Sequence, residues 1–165
     1  MKPSYPTEMA ISLIEYTEQF EAQIKQYHLS ESQLEFTGRP IDKIQNRELS
    51  PQLIHTLILD GDRVVGYFAL EVGEKRSRYS DNESARLLTS FSIAHVEQGK
   101  GYAKKALSLL RDHVKHAYSE IDEIVLGVNK RNIPAYTLYV KSGFEDRGEM
   151  YEGKKGPQHI LHLAL

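Results

Sequence analysis

Apolar positions along the chain change spacing from strand-like to helix-like and back. Ile11 to Glu15 alternates loosely and opens the pattern as a first strand. Thr17 stands where a helix N-cap would, with Phe20, Ile24 and Tyr27 at i, i+4 and i+7. This predicts an amphipathic helix from about Glu18 to Tyr27. Leu29 to Glu48 is mixed: Ser30 can cap a short helix, Gly38 and Pro40 break it, and Ile41 to Arg47 has room for another turn or two. Leu53 to Leu59 and Arg63 to Val72 are two apolar runs around Asp60-Gly61-Asp62, which predicts a hairpin. Glu74 to Ser84 is charged and reads as a loop. Ala85 to Ile93 predicts a further long strand with Leu87, Thr89, Phe91 and Ile93 on one face.

The strongest helical signal follows, over Lys100 to Ala117. Ala103, Ala106, Leu107, Leu110, Val114 and Ala117 form one stripe there. Glu123 to Val128 predicts a short apolar strand. Asn132 can cap a helix that starts near Ile133, with Pro134 in its first turn and Gly143 ending it in the left-handed conformation. Phe144 to Tyr151 and His159 to Leu165 predict a closing antiparallel pair. The order (strand, helices, three strands, helix, strand, helix, two strands) predicts a mixed α/β chain with a mostly antiparallel sheet. The strand–helix–strand unit at its centre can supply one parallel pair.

Composition sharpens this without redirecting it. The chain has 165 residues, 40% hydrophobic and 27% charged, which suits one folded domain over residues 1–165 and excludes a disordered, collagen-like or coiled-coil chain. There is no cysteine, so disulfides, thiolate metal sites and a cysteine nucleophile are excluded. A formal charge of −2 gives no global field towards nucleic acid. There is no apolar run long enough for a membrane span, and Lys2 is not followed by the apolar stretch of a signal peptide. Both point to a cytoplasmic protein with no membrane partner.

The segment richest in chemistry is Gln98-Gly99-Lys100-Gly101-Tyr102-Ala103, between a strand and the strongest helix. Two glycines allow tight turns and close approach of a ligand. The helix start offers free N–H groups and the positive end of its dipole, and Lys100, Lys104 and Lys105 add charge, so the segment suits phosphate. It is neither a Walker A loop, since Gly101 follows Lys100, nor a dinucleotide fingerprint, since Lys104 stands where the third glycine belongs. Alone, a Gly-x-Gly pair is better explained as a plain connection between strand and helix.

Its neighbours add more. Gln98-x-x-Gly101-x-Ala103 is similar to the Q/R-x-x-G-x-G/A signature of the GNAT superfamily of N-acetyltransferases. About thirty residues on, Asn129-x-x-Asn132-x-x-Ala135-x-x-Leu138-Tyr139-x-x-x-Gly143-Phe144 resembles the second half of the same pattern. In element order the resemblance runs from Leu53 to Leu165. It implies a GNAT-like twisted, mostly antiparallel sheet of about six to seven strands, flanked by about four helices, with a splayed central parallel pair.

The resemblance also implies acetyl-CoA as co-substrate. Its pyrophosphate would lie on Gln98, Gly99, Lys100, Gly101, Tyr102 and Ala103. Its pantetheine arm would lie against backbone groups near Phe91, Ser92 and Ile93, one of which would polarise the thioester carbonyl. The residue matching Asn132 touches the cofactor in that family, and the one matching Tyr139 donates a proton to the leaving thiolate. A tyrosine of pKa ~10 can protonate a thiolate whose conjugate acid lies at ~8.5. Asn132, Ala135 and Tyr139 share one helical face.

A general base is not apparent. The strand Ala85–Ile93 carries Thr89, Ser90 and Ser92 but no carboxylate, which leaves Glu71, His28 or an ordered water. The seven histidines include spaced pairs, His113/His116 and His159/His162, but no helical metal-binding pattern, so no metal is expected. Glu15, Glu18, Glu21, Glu31 and Glu35 are the wet faces of helices or a rim that attracts a cationic amine. The reading is therefore a direct transfer of acetyl from acetyl-CoA to a primary amine of a small molecule or polyamine. The alternatives are a peptide or protein amine as acceptor, a non-catalytic acetyl-CoA-binding module, or a nucleotide-binding protein using the same loop. A homodimer formed through the closing strands is compatible with this reading.

Overall fold

The computed structural model describes residues 9–165; Lys2 and the rest of the leading segment lie outside the described residues. Seven strands form one sheet: β1 (Ile11–Glu15), β2 (Ile54–Asp60), β3 (Arg63–Glu71), β4 (Ala85–Ile93), β5 (Glu123–Asn129), β6 (Glu145–Gly153) and β7 (Gly156–Ala164). Their spatial order is β1-β2-β3-β4-β5-β7-β6, and every neighbouring pair is antiparallel except β4 and β5. The helices are α1 (Glu21–Lys25), α2 (Glu31–Leu34), α3 (Pro40–Gln45), α4 (Glu74–Ser77), α5 (Tyr102–Ala117) and α6 (Ile133–Lys141). No described helix is long and apolar enough to cross a membrane.

The two faces of the sheet are covered differently. Ala106, Leu107, Leu110 and Val114 of α5 are buried against Phe68, Leu88, Ile124 and Leu126, and Tyr139 of α6 packs on the same cluster. This is the stripe the sequence predicts, except that Ala117 is exposed and Tyr102 joins the core. On the opposite face Phe20, Ile24 and Tyr27 are buried with Leu57, Leu59 and Tyr67, and Ile41 and Ile44 of α3 pack beside them. The first helix is shorter than its periodicity suggests: a 3-10 turn at Glu18–Phe20 precedes α1, and Thr17 makes no cap bond with its side chain. Ser30 does cap α2, within a capping box whose other member is Gln33. Pro40, read as a breaker, is the first residue of α3, where its missing N–H costs nothing. The charged Glu74–Ser84 stretch contains the single turn of α4.

Two features of β4 shape the functional region. First, β4 and β5 pair only at Ala85–Glu123, Arg86–Ile124 and Leu87–Val125, and then diverge. Second, Ser90 and Phe91 together oppose Phe68 of β3, a bulge in which Ser90 has φ of 55°, the one non-glycine positive φ among the described residues. The extra residue reverses the alternation. Leu87 packs with Ala85 and Val125, and Thr89 reaches Lys43 and Glu71. Beyond the bulge, Phe91 and Ile93 pack on the α5 side with Leu88. The expected single face of Leu87, Thr89, Phe91 and Ile93 is therefore two faces, because a bulge shifts the period-2 pattern by one residue.

Candidate active site

The divergence of β4 and β5 opens a cleft of about 1080 Å³. Phe91, Ser92, Ile93, Gln98, Gly99, Gly101, Tyr102, Ala103, Asn132 and Tyr139, ten of the residues singled out from sequence, line it. Lys100 does not: it lies over a neighbouring hollow beside Asp60 and Arg63, and its ammonium is 3.1 Å from Glu97.

Splaying leaves the facing edges of β4 and β5 without a partner strand, and buried backbone groups require one. Ala94 N–H donates to Val65 O at 2.9 Å, and Ser92 pairs with Tyr67. By alternation, Phe91 and Ile93 turn their backbone groups into the cleft. Gln33 confirms this for Ile93, whose carbonyl accepts from the Gln33 Nε2 at 2.7 Å. The Ser92 hydroxyl instead bonds the buried Tyr27 hydroxyl at 2.8 Å.

At the end of β4, Gly99 (φ 79°) and Gly101 (φ 84°) hold the left-handed turns that lead into α5. A side chain at Gly101 would meet no atom within 4 Å, so glycine is required there by the backbone angle and not by crowding. On the other wall, the Asn132 Oδ1 accepts from Ala135 N–H at 3.4 Å and caps α6. Asn129 Oδ1 accepts from Arg131 N–H at 2.9 Å, and its Nδ2 donates to Lys155 O at 3.0 Å. Both asparagines thus shape the turn between β5 and α6. Tyr139 stands edge-on to Phe91 and Phe144, with ring centroids 6.0 and 5.6 Å away. Burial pushes its phenol well above the ordinary tyrosine value, so the ring carries its proton throughout the neutral range.

The opposite face holds a group of residues that carries no sequence motif. The Lys43 Nζ of α3 donates to Glu71 Oε2 at 2.8 Å, to Thr89 Oγ1 at 2.6 Å and to Ser90 Oγ at 3.1 Å. Thr89 in turn donates to Glu71. Burial pushes the Glu71 carboxyl up, but the Lys43 charge and the bonds from Lys43 and Thr89 outweigh it and hold the group below the usual carboxylate range. Burial likewise lowers Lys43, against the pull of Glu71. Glu71 is therefore a committed ion-pair partner and a poor proton acceptor. His28, the other base suggested by sequence, is exposed and does not line the cleft. No group of three or more metal-ligating side chains occurs among the described residues.

Between the faces, α2 and the residues just after it bridge the diverging strands. Gln33 holds β4, while Glu35 pairs with Arg131 at 3.2 Å and accepts, through its carbonyl, from Lys155 Nζ at 2.6 Å. Phe36 lies under the Arg131 guanidinium at 5.7 Å.

Residues 15–144 match the profile described as Acetyltransferase (GNAT) family. The chain belongs to that family. It is accordingly an acetyl-CoA-dependent acetyltransferase. It is 39% identical over 156 residues to the uncharacterized N-acetyltransferase YbbJ of Bacillus subtilis, covering 94% of this chain and 98% of the relative. It is 29% identical over 150 residues to the spermine/spermidine N(1)-acetyltransferase of the same organism, covering 89% and 96%. Among solved structures, an aminoglycoside acetyltransferase AAC(6')-Ib in complex with coenzyme A shares the fold with TM-score 0.76 at 19% identity, over 94% of this chain and 95% of that one. The spermidine N-acetyltransferase of Vibrio cholerae, in complex with CoA and spermine, shares it with TM-score 0.68 at 15% identity, over 93% and 95%.

The GNAT cleft of this chain fits acetyl-CoA on its own features. The unpaired strand edges at Phe91 and Ile93 suit an extended, amide-bearing arm, and the N–H groups around Gly99 and Gly101, with Lys104 beside them, suit phosphate.

Proposed function

We propose that this protein acetylates a primary amine of a small molecule by direct attack on acetyl-CoA, with Tyr139 as the proton donor to sulfur. The observation that carries this is the position of Tyr139. It lines the cleft where β4 and β5 part and is held edge-on by two aromatic rings, and a phenol holds its proton at neutral pH. Acetyl-CoA supplies the activated acetyl group. The chain supplies the rest. Phe91 and Ile93 offer backbone groups that would orient the arm and polarise a carbonyl. Gly99, Gly101, Ala103 and Lys104 would take the pyrophosphate, while Asn132 fixes the start of α6 beside them. Two relatives with spermine or spermidine in their names, and solved neighbours bound to aminoglycosides or spermine, support a small-molecule acceptor.

The test is release of coenzyme A thiol over a broad amine panel, with Tyr139→Phe alongside. Turnover is expected to fall about 100-fold or more in the variant, with coenzyme A affinity kept. An unchanged chemical rate removes Tyr139 from the role. Tight coenzyme A binding with no turnover of any amine or short peptide favours a binding module instead.

A further inference from the structure

The cleft's charge is one-sided. Lys43, Lys75, Lys104, Arg131, Lys154 and Lys155 line it. Among the described lining residues Glu97 is the one carboxylate, and it is engaged by Lys100 at 3.1 Å and Arg63 at 3.3 Å, beside the phosphate loop. Lys104 and Arg131 adjoin the loop and the start of α6, where a phosphate-bearing cofactor accounts for them. Lys43 and Lys75 sit on the opposite face, on the Thr89 side of the Ser90 bulge and away from the phosphate loop.

We propose that the acceptor amine carries an oxyanion of its own, a carboxylate or a phosphate, received on this face by Lys75 and the Ser90 hydroxyl. The three Lys43 N–H groups are spent on Glu71, Thr89 and Ser90, so Lys43 acts through its charge and by turning the Ser90 proton outward. The inference rests on the acetyl-transfer reading above and narrows its acceptor. Glu71 offsets only part of the charge: its one carboxylate serves both Lys43, at 2.8 Å, and Lys75, at 3.3 Å. The hydroxyl direction is also set. An ammonium can only donate, so Ser90 Oγ accepts from Lys43 and its own proton points elsewhere, as a donor next to the cleft. Ammonium groups and a donor hydroxyl recognise an oxyanion. They disfavour a polyamine, whose several charges would meet no free carboxylate among the described residues that line the cleft; Glu48 and Glu74 stand with Lys75 around a separate outer hollow. The same field eases the chemistry. Positive neighbours lower the pKa of an entering ammonium, and pairing its own oxyanion to lysine removes the charge that would hold the proton. An amine bound this way reaches its nucleophilic form without a dedicated carboxylate base.

The test measures kcat/KM for amino acids and short peptides, each matched to its carboxamide and its aminophosphonate, with spermidine and an aminoglycoside in the same panel. The oxyanion-bearing member of each set is expected to exceed its carboxamide by about tenfold or more, and whether acid or phosphonate leads identifies the oxyanion. Lys75→Glu is expected to abolish that preference through acceptor KM while the KM for acetyl-CoA holds. Lys75 is half-exposed, with 50% of its side chain accessible, so the variant is expected to fold. Equal or better turnover of carboxamides, spermidine or the aminoglycoside overturns the inference and leaves acetyl transfer standing. No transfer to any member overturns both.

Discussion

On the face carried by α5 and α6, the cleft offers backbone groups, glycine turns and one shielded phenol. On the face covered by α3 and α4, it offers a largely buried lysine and hydroxyls bonded to it, backed by the buried Glu71 carboxylate, which does not itself line the cleft. The first set would recognise a ligand through groups that every sequence possesses, made available by where strands part and where glycine permits a turn. The second recognises through side-chain identity, and its geometry depends on one ion pair. Cofactor binding should therefore tolerate changes in the charged face, and acceptor choice should tolerate changes in the phosphate loop.

The sharpest way to break this division is Lys43→Met. It leaves the Glu71 carboxylate, whose side chain is 7% exposed, with only the Thr89 hydroxyl and the outer Lys75 as partners. A loss of about 3–5 kcal/mol in urea unfolding is expected, most of it recovered in the Lys43→Met/Glu71→Leu double variant. If coenzyme A affinity falls in the folded double variant, the two faces are not independent. Gly101→Asp attacks the other face. A side chain at φ 84° costs about 1–2 kcal/mol, and the added charge stands where phosphate belongs. Coenzyme A affinity, read by calorimetry, is expected to drop about tenfold or more while acceptor KM at saturating acetyl-CoA holds. The smallest effect is on pH. Because the folded state holds Glu71 below the usual carboxylate range, its contribution is complete above the unfolded value of ~4.3 and is lost as pH falls through the folded one. The stability gap between wild type and Glu71→Gln should therefore close on acidification.

The same contrast explains what could be read in advance. Gln98, Gly101, Asn132 and Tyr139 lie on one strand–helix–strand–helix run and belong to the two blocks that resemble the GNAT pattern, and that resemblance is what made them legible. Lys43 reaches Glu71 across 28 positions and Ser90 across 47, and no local pattern records such a meeting. The Ser90 bulge was also hidden, since serine gives no hint of a positive φ. One unmarked residue then put Thr89 and Phe91 on opposite faces where alternation had joined them. Gly127 of β5 passed as an ordinary strand residue. Yet a Cβ there would collide with the Gln158 side chain and with the ring of Tyr79, whose hydroxyl donates to Gln158 at 2.8 Å. Its role is visible only when three distant segments are assembled.

The bridge of α2 and the residues just after it bears on the timing of turnover. Its ties to the far wall are the Glu35–Arg131 pair, both side chains about half accessible, the Lys155 bond and a ring–guanidinium contact. Exposed ties of this kind are individually weak and fade with ionic strength. The tie to the near wall is a capping-box glutamine already fixed by its own helix turn. The bridge is thus hinged on one side and latched lightly on the other. Added salt should therefore loosen the bridge, and a coenzyme A dissociation rate that rises with ionic strength is the expected sign that the latch covers the cleft.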